Sequence, residues 1–374
     1  MKIHTPVFET RDGYTFLASH IQFEHTLAGV PDWLWFRVPS SLNPYLVGRS
    51  DPFVSALLIL AMWLGEDIEI QGPVSPRLMY GLGDYQAAFR MWSPDIFKPI
   101  RIHAPKLEPA VVAPNKTGVA SAFSGGVDSF YTLWTNLPQN QIYRNMAVKY
   151  ILFAIGFDIL LGDEARWQPA LIDYTALAQR LGVEMLPIWT NIREFTDTVM
   201  GWQAWHWCFG SVLIGAAHAV ANPLRRFYQP AGRTFLTDEP VGSLPQIDHF
   251  LSNEGLEIYH HGARVTRFEK IATIADWPEA QRNLRICWQN PQGLQNCGRC
   301  DKCLRTMISL DILDRLPQFQ ACFVAPLTHD AVRGGLRGHL EEFYIEDLLH
   351  EAITVGRDDL VDDLRYVMEA RKSE

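Results

Sequence analysis

The chain has 374 residues, a formal net charge of −9, 48% hydrophobic and 20% charged residues. That length allows about two or three domains with an ample core. The acidic balance argues against a large nucleic-acid surface, although a local basic patch can coexist with it. The opening MKIHTPVFETRDGYTF has no basic-then-apolar secretory pattern, and the longest apolar run, residues 54–64, is too short to span a bilayer. Six cysteines, four of them bunched in one stretch, fit a reducing compartment and a metal site better than a disulfide scaffold. The expectation is a cytoplasmic protein with no membrane partner.

Residues 1–105 read as an α+β domain of their own, with strands over 33–38 and 67–70 and a buried helix over 52–64. Residues 72–86 begin with turn formers, and a proline- and lysine-containing stretch, 103–116, reads as a linker. From residue 118 onward strand and helix patterns alternate. Strands are expected over 119–123, 150–157, 183–189, 227–230 and 256–260, and helices over 130–136, 171–181, 211–221 and 267–274. Such alternation implies an α/β fold with a doubly wound parallel sheet, spanning a domain of residues 106–322. The charged end, 323–374, reads as a helical extension.

The run SAFSGGVDSF, residues 121–130, is a short strand, a serine–glycine–aspartate loop and a helix start. Gly125 and Gly126 let backbone approach an anion closely, and free N–H groups at the helix start point towards it. The helix dipole adds positive potential, and Ser124 and Ser129 offer hydroxyls. No lysine follows the loop, so it is not the GxxxxGK[ST] loop of kinases and GTPases. In a parallel sheet this loop belongs at the C-terminal ends of the strands, where ligands bind. Ser124-Gly125-Gly126-Val127-Asp128-Ser129 resembles the PP-loop of the ATP pyrophosphatase superfamily. That resemblance implies cleavage of ATP between the α- and β-phosphates with transfer of AMP to a carboxylate, amide or carbonyl oxygen.

Cys287, Cys297, Cys300 and Cys303 are spaced C-x9-C-x2-C-x2-C. Four thiolates complete a tetrahedral set with no open position, which reads as structural zinc. An iron–sulfur cluster and unliganded thiols stay open as alternatives. Cys208 and Cys322 fall outside the pattern and read as buried cysteines. Asn296-Cys297-Gly298-Arg299-Cys300-Asp301-Lys302-Cys303-Leu304-Arg305 is similar to the zinc-binding end of 7-cyano-7-deazaguanine synthases. The likeness implies an ATP-dependent synthetase that adenylates a deazaguanine-like carboxylate or amide, releases pyrophosphate and joins the product to ammonia or an amine. ATP, Mg²⁺ and structural Zn²⁺ are the implied cofactors. A heterocyclic carboxylate and a nitrogen nucleophile are the implied partners; a protein partner through residues 1–105 and a homodimer are further expectations.

Within that reading, the cofactor-binding set is Ser124, Gly125, Gly126, Val127, Asp128, Ser129, Gly156 and Asp158. Asp128, Ser129 and Arg267 are assigned to catalysis. Asp128 reads either as the acidic group beside magnesium or as a helix cap. Arg267, in Thr266-Arg267-Phe268-Glu269, holds the place of a lysine–x–glutamate pair, a planar fork replacing a point charge; an ion pair with Glu269 or Glu257 is the plainer reading. Asp248 and His249, in residues 241–250, are candidates for reading the substrate. Trp202, Trp205 and Trp207 around His206 read as a stacking platform or as core, and His206, His260 and His261 as proton-handling or structural histidines. Two alternative functions remain: a tRNA-modifying or sulfur-transferring enzyme of the same superfamily, and a nucleotide-binding component without turnover.

Overall fold

A computed structural model describes residues 1–112, 116–236, 239–289, 293–336 and 342–372. Parts of the expected linker (113–115), of the loop between Cys287 and Cys297 (290–292) and of the C-terminal extension (337–341, 373–374) lie outside the described residues. The strands are β1 (Lys2–Ile3), β2 (Val7–Arg11), β3 (Tyr14–Gln22), β4 (Trp33–Pro39), β5 (Ile68–Ile70), β6 (Ile102–His103), β7 (Gly118–Ala122), β8 (Tyr150–Ile155), β9 (Glu184–Thr190), β10 (Leu224–Pro230) and β11 (Glu257–His261). Among the described residues they form one mixed sheet in the order β11-β10-β7-β8-β9-β4-β3-β1-β5-β6, with β2 paired to β3. With helices on both sides, the fold is α/β.

The five strands from β7 to β11 pair in parallel. The chain runs from β7 outward through β8 to β9, then returns to the other side of β7 for β10 and β11. Ala122 is paired with Leu152 and Tyr228 with Ser121, so the C-terminal ends of β7, β8 and β10 share one edge. β7, β8 and β9 are covered on both faces along most of their length, whereas β10 and the edge strand β11 carry polar residues. Phe227 and Ile258 face a core with the helices Asp51–Leu64 and Trp205–Ala219. Val119, Phe123 and Tyr228 face a second core with the helices Val127–Asn136 and Glu164–Leu181.

Residues 1–105 do not stand apart. β4 pairs antiparallel with β9, Phe36 opposite Thr190 and Arg37 opposite Trp189. The almost wholly buried helix Asp51–Leu64 packs on Trp205–Ala219, and its residues share the first core with β7–β11. The reason is composition: a helix apolar all round cannot be solvated on either side, so it must lie between layers rather than on a small domain's surface. The helix Pro76–Trp92 occupies the segment whose start reads as turns. Pro76 sits in its first turn, and Ser75 caps it by accepting from the Leu78 N–H at 3.1 Å.

Candidate functional site

The loop after β7 is held from three sides. Gly125 has φ +78, and a Cβ there would stand 2.1 Å from the Tyr174 hydroxyl, so only glycine fits. The Tyr174 hydroxyl donates to the Ser124 carbonyl at 3.2 Å. Ser129 accepts from the Ser124 N–H at 3.3 Å and donates to the Gly126 carbonyl at 2.9 Å. Its buried hydroxyl is thus turned back onto the loop and stitches it. The third support is the Arg285 N–H, which donates to the Gly125 carbonyl at 2.7 Å. Ser124 stays exposed, and Gly126 opens the helix Val127–Asn136 with no side-chain cap. Val127 is fully buried in the second core, so only its backbone is left on the cleft side.

Asp128 does not cap that helix. Its carboxylate accepts from Lys270 Nζ at 3.0 Å and from Arg267 Nη1 at 3.1 Å. Burial would push this carboxyl up, but the charges of Lys270 and then Arg267 outweigh it and hold it down at about 2. Lys270 also donates to the Ala231 carbonyl at the end of β10, tying the two sides of the strand-order reversal together. A third cation, Arg305, lies with its guanidinium 4.1 Å from the centroid of the Tyr344 ring. Burial and then the charge of Arg267 push Arg305 down to about 10. The Nε atoms of Arg267 and Arg305 are buried without a hydrogen-bond partner. One carboxylate therefore faces three largely buried cations, a net positive charge that an anion would relieve.

Lys270 is the residue that the sequence reading misses, since it stops at Arg267. The available signal is spacing: residues 267 and 270 share one face of a helix, here Arg267–Ile274. Glu269 is spent on a capping box with Thr266, and Glu257 pairs with Arg226, so neither partners Arg267. Gly156, at φ +93, makes the tight turn after β8 on the same edge as the loop. Asp158, two residues on, is exposed and lies outside the Asp128 ion pairs.

The four clustered cysteines converge. All are buried, and their Sγ atoms lie within 4.8 Å of one another. Three of the separations are 3.4, 3.7 and 3.9 Å. A tetrahedral ion with Zn–S bonds of about 2.3 Å sets its sulfurs at about 3.8 Å apart. The spacing fits one ion; a multi-iron cluster, with bridging sulfides between its metals, needs a wider set. The Cys297 Sγ accepts from the N–H groups of Arg299 (3.3 Å) and Cys300 (3.2 Å), which suits a thiolate. Asn296 fixes the approach: its buried amide accepts from Ile286 N–H and Cys287 N–H and donates to the carbonyls of Leu284 and Cys322. Cys322 is buried beside it, and Cys208 lies in the first core, its thiol pushed up to about 12 by burial.

The tryptophans do not form one platform. Trp207 packs on Phe89 and Phe97, Trp205 meets Arg193 and Phe157, and Trp202 is exposed. His206 is exposed and bonded to the Gln203 carbonyl. His261 is held by Asn136 and Thr132, and burial and then Arg264 push it down to about 4. Within residues 241–250, His249 is exposed while Asp248 is fully buried and bonded to His260 Nδ1 at 2.7 Å.

The fold and site define an α/β protein with an electropositive, glycine-lined strand edge and a four-cysteine cluster able to bind a metal such as zinc. Compared with protein-family models, curated proteins and solved structures, the chain matches none. No helix among the described residues is long and apolar enough to cross a membrane.

Proposed function

We propose that the chain is an ATP-dependent adenylating synthetase built on a doubly wound PP-loop sheet. The observation that carries this reading is the cationic trio Lys270, Arg267 and Arg305 around Asp128, beside the Gly125–Gly126 loop. The loop lies where the strand order reverses, the position at which open α/β sheets take their ligands. The free N–H groups at the start of Val127–Asn136 and the guanidinium forks suit a polyphosphate. Magnesium, when bound with the nucleotide, would offset further charge on the phosphate oxygens.

In this mechanism the loop holds the β- and γ-phosphates while an oxygen of the substrate carboxylate attacks the α-phosphorus in line. Pyrophosphate leaves with the electron pair of the broken P–O bond. Lys270 and Arg267 stabilise the charge that grows on that leaving group, and Asp128 holds both cations in place before ATP arrives. A nitrogen nucleophile then displaces AMP. The four-cysteine segment braces this machinery through the Arg285–Gly125 hydrogen bond and carries Arg305 on the helix Asp301–Ile312. Sulfur transfer is disfavoured, because all six cysteines are buried and four converge in a cluster able to hold a metal.

The test is pyrophosphate and AMP release from ATP–Mg²⁺, with and without 7-carboxy-7-deazaguanine plus ammonia, in the wild type, Asp128→Ala and Lys270→Met. Release dependent on the heterocycle and reduced at least a hundredfold in both variants is the expected result. ATP binding with no pyrophosphate release under any condition would reduce the protein to a nucleotide-binding component.

A further inference from the structure

On the sheet face that carries Phe227 and Ile258, the last inward positions of β10 and β11 are polar. Gln229 and His260 are directly paired in the ladder, so their side chains lie next to each other on that face. Gln229 is 1% exposed and its Oε1 has no hydrogen-bond partner; the His260 side chain is 3% exposed and its Nε2 has none either. A buried acceptor left unpaired keeps its full desolvation cost, and here two occur on directly paired residues. Two neighbouring empty acceptors are a place for a group that donates two N–H bonds.

His260 is built to stay an acceptor. Its Nδ1 bonds to Asp248 Oδ2 at 2.7 Å, so Nδ1 carries a proton, and in the neutral ring Nε2 is then the acceptor. Asp248 is itself fixed by the Ser243 hydroxyl at 2.7 Å and by the Leu244 N–H at 3.3 Å. The loop carrying Ser243 is pressed on the helix Trp205–Ala219: a Cβ at Gly210 would stand 2.0 Å from the Gly242 carbonyl. Asp248, Ser243 and Leu244 are committed to one another, and none of them satisfies Nε2. Two residues beyond Gln229, the Ala231 carbonyl receives Lys270, so this pair lies across the strand edge from the Asp128 cations.

We propose that Gln229 and His260 form the site of the nitrogen nucleophile, ammonia or a primary amine, with His260 its proton acceptor. The proposal rests on the adenylation reading above. The amine nitrogen's lone pair forms the new C–N bond at the acyl carbon. One N–H proton passes to His260 Nε2, the second N–H is held by Gln229 Oε1, and the C–O bond to AMP breaks with its electron pair leaving on AMP. The imidazolium that results is paired with Asp248, as in other histidine–aspartate dyads.

The experiment is a methylamine titration of full-length protein labelled with ¹⁵N-histidine, followed by NMR. His260 is expected to show an unprotonated Nε2 in the free protein and to be the one histidine of twelve that shifts on titration. Gln229→Leu should weaken the methylamine affinity at least fivefold, and Asp248→Asn should change the His260 tautomer; thermal melts identify any variant that fails to fold. A protonated Nε2 in the free wild type, or a titration that leaves His260 unmoved, overturns the proposal without need of any variant. Pyrophosphate release is measured on the same samples. Its absence with an intact His260 response would remove the adenylation reading and leave the amine site standing; normal release with no His260 response would do the reverse.

Discussion

At the scale of single residues, Asp128 and Lys270 decide what the cleft can hold. The folded pKa of Asp128, about 2, lies below its ordinary 3.8. A depressed carboxylate contributes stability that is complete above its unfolded pKa and is lost as pH falls through the folded one. The difference corresponds to about 2 kcal/mol at neutral pH. Urea melts of the wild type and Asp128→Asn should therefore differ by about that amount at pH 7 and converge as pH falls from about 4 towards 2. A gap that stays constant across that window would show that Asp128 acts by shape and not by charge. Lys270→Met leaves Asp128 with Arg267 as its remaining direct ion-pair partner, and should cost at least tenfold in pyrophosphate affinity by calorimetry. If affinity is unchanged, Arg267 and Arg305 suffice and the lysine is a strut.

At the scale of elements, the four-cysteine segment acts on the anion loop through one short path, from Cys287 through Ile286 to the Arg285 N–H on Gly125. Metal occupancy and loop order should be linked. Zinc-loaded protein is expected to contain one equivalent per chain. Removing it with a chelator, or by Cys300→Ser, should raise amide hydrogen exchange at residues 124–129 and lower pyrophosphate affinity at least tenfold. Exchange that rises only within residues 284–303 would uncouple the two. How much of this was legible in the sequence follows from where periodicity is local. The parallel strands and the helices Val127–Asn136, Glu164–Leu181, Trp205–Ala219 and Arg267–Ile274 showed by alternation of pattern, and the cysteines showed by spacing alone; the short helix Ile192–Met200 did not show. The hairpin of β2 and β3 did not, although its Asp12-Gly13 turn, with both φ values positive, is a hairpin signal. The helix Pro76–Trp92 was hidden by Gly81 and Gly83, which are low in helix propensity; Gly81 serves packing instead. The pairing of Gln229 with His260 depends on register, which no window of sequence carries.

At the scale of the whole molecule, the first hundred residues are an integral buttress of the site. The boundary near residue 105 rested on a change of composition and on the proline- and lysine-containing stretch 103–116, and local composition says nothing about which layers share a core. The helix Pro76–Trp92 lies against the segment that carries Asp248: a Cβ at Gly81 would stand 2.0 Å from the Phe250 carbonyl, backbone that cannot yield as a flexible side chain would. Ser75 and the Arg77 N–H donate to Glu254 at 2.6 and 3.0 Å, and Tyr85 is buried with its hydroxyl on the Gly242 carbonyl. Gly81→Val must push these layers apart, an overpacking cost of about 1–3 kcal/mol beyond the β-branched penalty within a helix. Its effect should be directional. The His260 resonance and the methylamine affinity should change, because residues 242–248 hold that ring. Pyrophosphate affinity should stay within about twofold, because Gly125, Lys270 and Arg285 belong to elements of the other core. Differential scanning calorimetry should still show a single transition, lowered as one unit, since both halves share the first core. Two separated transitions, or a variant whose His260 spectrum is native, would return residues 1–105 to the status of an independent domain.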